Sequence, residues 1–213
     1  MKKIIISFTG SNKQYLFDVE DKLAIKPGDK ILVENNQIIE AGDIIDSFSE
    51  SDTVTNLEVG EGKILRKITK EDQAKILEMK NQALNYLLDC RKLIEKYALP
   101  MKLVDADLSF DEKKITFYFS AEGRVDFRQL VTDLIRKFKK MIRLQQIGAR
   151  DEARIIGGFG KCGRKLCCKS FLKKVDSVTL DMAKEQDISS GISKISGSCG
   201  KLMCCLSYEL EEY

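Results

Sequence analysis

Six of the seven cysteines fall in two copies of one pattern. Residues 162–168 read Cys-Gly-Arg-Lys-Leu-Cys-Cys and residues 199–205 read Cys-Gly-Lys-Leu-Met-Cys-Cys. Each cysteine of the second copy lies 37 residues after its counterpart: Cys162 with Cys199, Cys167 with Cys204, Cys168 with Cys205. Gly160 matches Gly197, Gly163 matches Gly200, Arg164 matches Lys201, Ser170 matches Ser207 and Phe171 matches Tyr208 at the same interval, so the segment is an internal duplication. Three thiols per copy are soft ligands that suit iron–sulfur clusters, zinc or thiol redox chemistry. The chain has no histidine, which removes His-containing zinc sites and the Ser-His and Cys-His nucleophile pairs.

The residues around the cysteines fit the same chemistry. Gly160 and Gly163 are expected to turn the backbone tightly around an inorganic centre and to aim amide N–H groups at sulfur. Lys161, Arg164, Lys165 and Lys201 are expected to offset gathered thiolates and to lower their pKa. In an extended segment Cys167 and Cys168 point to opposite sides, so one tetrahedral ion is a poor fit and a polynuclear cluster, or two neighbouring metals, a better one. Three cysteines per copy suggest either two incomplete sites, each completed by an outside ligand, or one shared six-thiolate site. An iron–sulfur cluster, 4Fe-4S in form, is the first expectation. Zinc is the second and metal-free thiol switching the third. The spacing is not the C-x2-C-x2-C run of bacterial ferredoxins.

Charge gathers beside the cysteines. Residues 136–174 hold 13 Lys or Arg against Asp151 and Glu152 alone, a net of +11 in a chain whose formal net charge is +3. Within this run Arg150, Arg154, Lys161, Arg164 and Lys165 are candidate contacts to RNA phosphates or to an acidic partner. No aromatic stacking platform is interleaved with them. Residues 1–60 carry a net of −5, which argues against nucleic acid binding there.

The first residues offer no signal-length apolar run and no stretch approaches the length of a membrane span. A cytoplasmic protein with reduced thiols is therefore expected, and clustered cysteines there read as ligands before disulfides. Of 213 residues, 43% are hydrophobic and 32% charged, the composition of an ordinary soluble protein.

The elements that must position these groups read as α+β in three parts. Residues 1–58 alternate short apolar runs with turn signals such as Pro27-Gly28-Asp29 and Asn35-Asn36, a small antiparallel β-sheet or barrel. Residues 59–150 form an α+β layer. A helix begins at a Thr69–Asp72 capping box, carries Ala83, Leu87, Cys90, Ile94 and Tyr97 on one stripe, and stops before Pro100. Cys90 belongs to that stripe and reads as core. Strands over 101–108 and 115–120 turn through Asp111-Glu112-Lys113. A second helix carries Phe127, Leu130, Val131, Leu134, Ile135 and Phe138, with Asp126 as the N-cap candidate, and a strand over 141–147 follows. Arg150, Asp151 and Glu152 read as a salt-bridged loop. Residues 151–213 are too rich in Gly, Cys, Ser and Lys to bury a core easily, and metal stapling is expected.

Several segments together carry a resemblance. They are Gly28-Asp29, Arg124-Val125-Asp126-Phe127-Arg128, the Gln146-Ile147-Gly148-Ala149-Arg150-Asp151-Glu152-Ala153 run, residues 157–164, Met182-Ala183-Lys184-Glu185-Gln186 and residues 194–209. On these the chain resembles the YaaT (RicT)-type proteins of the PSP-one C-terminal domain family. Ser190-Gly191 departs from the Asn-Pro step common in relatives, and the sequence ends at Tyr213 where relatives often continue. The resemblance implies a protein without established catalytic activity, one component of a complex with YlbF-like and YmcA-like helical proteins. It implies iron–sulfur clusters in that complex, an indirect action on messenger RNA processing by endoribonuclease Y, and links to sporulation, competence and biofilm formation. The ligand cysteines it implies are Cys162, Cys167, Cys168, Cys199, Cys204 and Cys205.

Overall fold

The computed structural model describes residues 2–8, 14–19, 25–48, 58–60, 62–172, 175, 177–188 and 191–210. Ser190 and Tyr213, and Lys173 and Lys174 at the end of the basic run, lie outside these residues. The chain forms two compact units, Met1–Gln145 and Gln146–Tyr213, and the whole is mixed α+β.

The first unit opens with a curled six-stranded sheet: β1 Lys2–Phe8, β2 Gln14–Val19, β3 Lys30–Asn35, β4 Ile38–Phe48, β5 Glu58–Val59 and β6 Gly62–Lys67. The strand order is β5-β2-β1-β4-β3-β6. Its pairs are antiparallel except β2 with β5. The β3–β4 hairpin turns through Asn36 and Gln37, both with positive φ, the backbone that matches a two-residue turn to strand twist. Ile4, Ile6, Phe17, Ile31, Val33 and Ile44 fill the concave side at 0–1% exposure. The alternation at 4–8 and 15–19 predicts β1 and β2, whereas β5 and β6 fall where the sequence shows little alternation.

Helix α1, Lys70–Lys96, starts as the sequence predicts. Thr69 Oγ1 accepts from the Asp72 N–H while Asp72 accepts from the Thr69 N–H. The Arg66 guanidinium also grips Asp72 and holds its carboxyl well below the usual carboxylate range. Met79, Ala83, Cys90 and Ile94 are buried on one stripe, and burial pushes the Cys90 thiol up to about 12. The helix ends at Lys96, with Ala98 at positive φ.

Strands β7 Lys102–Leu108 and β8 Lys114–Ser120 pair antiparallel, and β9 Met141–Gln146 joins in the order β7-β8-β9. Helix α2, Arg128–Phe138, intervenes. Its N-cap is Phe127 rather than Asp126. Asp126 instead accepts the Arg128 N–H at 3.2 Å and pairs with the Arg128 guanidinium. Ile115, Phe117 and Phe119 of β8 pack with Leu130 and Leu134 of α2 and the α1 stripe.

Among the described residues the second unit holds five short helices: α3 Ala149–Ile156, α4 Cys167–Ser170, α5 Leu180–Glu185, α6 Ile192–Ile195 and α7 Cys204–Tyr208. Two expectations are corrected here. Arg150, Asp151 and Glu152 lie on a helix, not a loop. The unit also has a core: Ala183, Ile195 and Leu206 are buried, with Val178, Ile188, Leu202 and Met203 against them. The Gln186 side-chain amide donates to the Leu206 carbonyl at 2.6 Å, so even this small core contains a polar tether.

Candidate metal centre

The sequence duplication is a structural duplication. In the first copy the Gly160 N–H donates to the Arg164 carbonyl at 2.8 Å; in the second Gly197 donates to Lys201 at 2.8 Å. Gly163 donates to Gly160 at 3.0 Å and Gly200 to Gly197 at 2.9 Å. These glycines sit at φ +77° and +78°, left-handed backbone that a side chain strains. Isolated β-bridges join Phe159 to Lys165 and Ser196 to Leu202, again 37 residues apart. Each loop then enters a short helix, α4 or α7, whose first two residues are the adjacent cysteines.

This corrects two sequence expectations. The Gly160 and Gly163 amides are spent on closing the turn, not on sulfur. Cys167 and Cys168 open a helical turn instead of an extended strand, so their side chains diverge by roughly 100° rather than 180°. Phe171 and Tyr208, counterparts in the two copies, meet edge-on with ring centroids 5.2 Å apart, tying the copies together.

Cys162, Cys167, Cys168, Cys199, Cys204 and Cys205 line one cavity of about 100 Å³, with Arg150, Lys165 and Met203 among its other walls. Cys168 is buried, Cys162 exposed and the other four half-buried. The thiols interact across the copies. Burial first, and then the charges of Cys204 and Cys162, push the Cys167 thiol above its usual value. Burial and then Cys199 do so for Cys168. Cys204 rises through burial and Cys168, and Cys205 through burial, Glu209 and Cys167. The expected lowering of thiol pKa is thus overturned for these four, because burial outweighs the cations.

The cations that oppose this rise are Arg150, acting on Cys168 and Cys204, and Arg154, acting on Cys168. Sequence reasoning placed both among RNA or partner contacts. Lys161, Arg164 and Lys165 are exposed, and the Lys161 ammonium donates to the Ser193 carbonyl at 2.6 Å. The α3 helix, capped at Gly148, delivers Arg150 to the cavity, a placement that charge counting does not reveal.

The thiols converge without closing on a point. Among the described residues no group of three or more Cys, Asp or Glu side chains is spaced to hold a metal ion. The donor set nevertheless suits an iron–sulfur centre: six sulfurs surround a space larger than one ion, and the buried Arg150 Nε has no hydrogen-bond partner among the described residues. An N–H donor left over beside gathered sulfur is what a thiolate or sulfide acceptor satisfies.

Among the described residues no helix is long and apolar enough to cross a membrane. The family profile described as PSP1 C-terminal conserved region matches residues 62–147, and that described as PSP1-like protein, third domain, matches residues 177–213. The chain is 42% identical over 211 residues to the stage 0 sporulation protein YaaT of Bacillus subtilis (strain 168), covering 98% of this chain and 75% of that one. It is 35% identical over 80 residues to an uncharacterized protein of Schizosaccharomyces pombe, 38% of this chain and 11% of that one. It is 43% identical over 49 residues to Protein PSP1 of Saccharomyces cerevisiae, 23% of this chain and 6% of that one. No solved structure matches. With a near full-length relative at that identity and the conserved region matched from β6 to β9, the chain belongs to the PSP1 C-terminal family, alongside Bacillus subtilis YaaT.

Proposed function

We propose that this chain is a non-catalytic adaptor that binds an iron–sulfur centre through Cys162, Cys167, Cys168, Cys199, Cys204 and Cys205. It works within a multiprotein assembly that modulates messenger RNA processing by an endoribonuclease. The observation that carries the reading is the single cavity lined by all six thiols of two matching copies. A centre of that kind supplies an oxygen-sensitive inorganic core that accepts an electron. This chain's own part is to hold and shield it: the two left-handed glycine turns fix the loops, α4 and α7 present the paired cysteines, and Leu206 and Ile195 pack the side of the unit away from solvent. Partners of the YlbF-like and YmcA-like helical type, with endoribonuclease Y acted on indirectly, are the assembly this reading favours. The name of the Bacillus subtilis relative supports a sporulation-related regulatory role.

The test is metal analysis of anaerobically purified protein, alone and co-expressed with those partners. Iron and acid-labile sulfide in comparable amounts, with the brown colour of an iron–sulfur chromophore, are expected. Absence of both iron and zinc from every preparation refutes the reading. A zinc-stabilised RNA-binding module is the second reading, favoured by the exposure of Lys161, Arg164 and Lys165 on the first copy. It requires colourless zinc protein whose RNA affinity falls steeply with salt.

A further inference from the structure

We infer that Arg150 donates its Nε–H to the sulfur of the centre held by the two cysteine copies and so sets how readily that centre is reduced. The inference rests on the iron–sulfur reading above and assigns a separate residue within it. Arg150 stands in the first turn of α3, and its Nη2 donates to the Leu202 carbonyl at 2.9 Å. Leu202 closes the bridge of the second copy and lies two residues before Cys204. The guanidinium is therefore locked in orientation by the second copy while its helix leads into the first.

Its remaining donors decide the matter. A guanidinium has N–H groups in a rigid fork and no acceptor, and the Nε–H here is buried without a partner among the described residues. Arg150 is among the residues that line the thiol cavity, and its charge acts on Cys168 of one copy and Cys204 of the other. The position 37 residues later is Asp187, so the duplication did not double this arginine. Arg150 thus acts on both copies from one position, and the pair of cysteine loops is asymmetric at this point. An added electron makes a cluster more negative, so a fixed N–H donor and a fixed positive charge stabilise the reduced state more than the oxidised one. Removing them must move the potential to more negative values.

The experiment compares wild type, Arg150→Lys and Arg150→Leu after anaerobic reconstitution with ferrous iron and sulfide, with the co-expressed partners present. Iron and sulfide per chain are measured first, then the midpoint potential. At equal iron content, Arg150→Leu should lower the reduced-to-oxidised ratio at a fixed potential by about tenfold, which is about 59 mV for a one-electron couple. Arg150→Lys, which keeps a charge but has no Nε–H, should fall between. An unshifted potential in Arg150→Leu overturns the inference, and a wild-type potential in Arg150→Lys overturns the role of the Nε–H. If Arg150→Leu does not fold, Arg150→Lys alone decides. A wild-type chain that takes up no iron fails before any variant is compared, and that result overturns the iron–sulfur reading itself.

Discussion

Replacement of Leu206 by alanine should unfold the second unit in the metal-free protein and leave it folded when the centre is filled. Leu206 is 1% exposed and belongs to a cluster whose buried members among the described residues are Ala183, Ile195 and Leu206. Burying one large aliphatic side chain stabilises by about 1.5–3 kcal/mol, so Ile195 and Leu206 carry most of what this cluster contributes. Truncation of a buried leucine costs about 2–5 kcal/mol, the range including the cavity left behind. A ligand at a thousand times its dissociation constant returns about 4 kcal/mol, which is the same size. Hydrogen exchange read by mass spectrometry on anaerobic apo and reconstituted protein measures this. The variant should lose protection across residues 146–210 only without metal, while residues 62–145 exchange as in wild type. Equal protection of the apo variant and apo wild type would refute the reasoning, because Leu206 would then not be holding the unit together.

Thr69→Ala removes the cap of α1 and should cost about 1 kcal/mol, a fall of about 2–4 °C in melting temperature. The Arg66 pairing depresses the Asp72 carboxyl, so its stabilisation is complete above the unfolded value of about 3.9 and should fade as pH falls below it, seen as a melting-temperature loss absent in Asp72→Asn. Asp107 shows the opposite sign: burial, then Asp105 and Glu40, push its carboxyl up to about 7. The folded state holds a proton there that the unfolded chain releases, so stability should decline as pH rises from about 4 to about 7, and Asp107→Asn should flatten that slope. In metal-free protein Cys162 is exposed and Cys90 wholly buried. Timed alkylation followed by peptide mapping should therefore label Cys162 first and leave Cys90 unlabelled until the first unit unfolds.

Much of the first unit was legible because local chemistry and long-range packing agree there. The Thr69–Asp72 box and the apolar stripe through Cys90 mark α1 independently, and both hold in the structure. The hairpin ending in Asp111-Glu112-Lys113 is marked by turn residues between two apolar runs. Strand β6 was not legible, because it is almost wholly exposed and its residues carry no alternating burial. In the second unit the repeat announced itself through identity at a fixed interval. Its local conformation did not, since two adjacent cysteines look alike whether the backbone is extended or helical. Arg150 escaped for another reason: its role comes from α3 pointing it into a cavity made by residues up to 55 positions away, and no local pattern encodes that.

The matched turns at Gly163 and Gly200 and the Phe171–Tyr208 contact amount to a homodimer collapsed into one polypeptide. Two separate subunits sharing a centre must accept every substitution twice and must find each other at cellular concentration. Tethered halves escape both constraints, so the counterpart of Phe159 can be Ser196 and that of Lys165 can be Leu202.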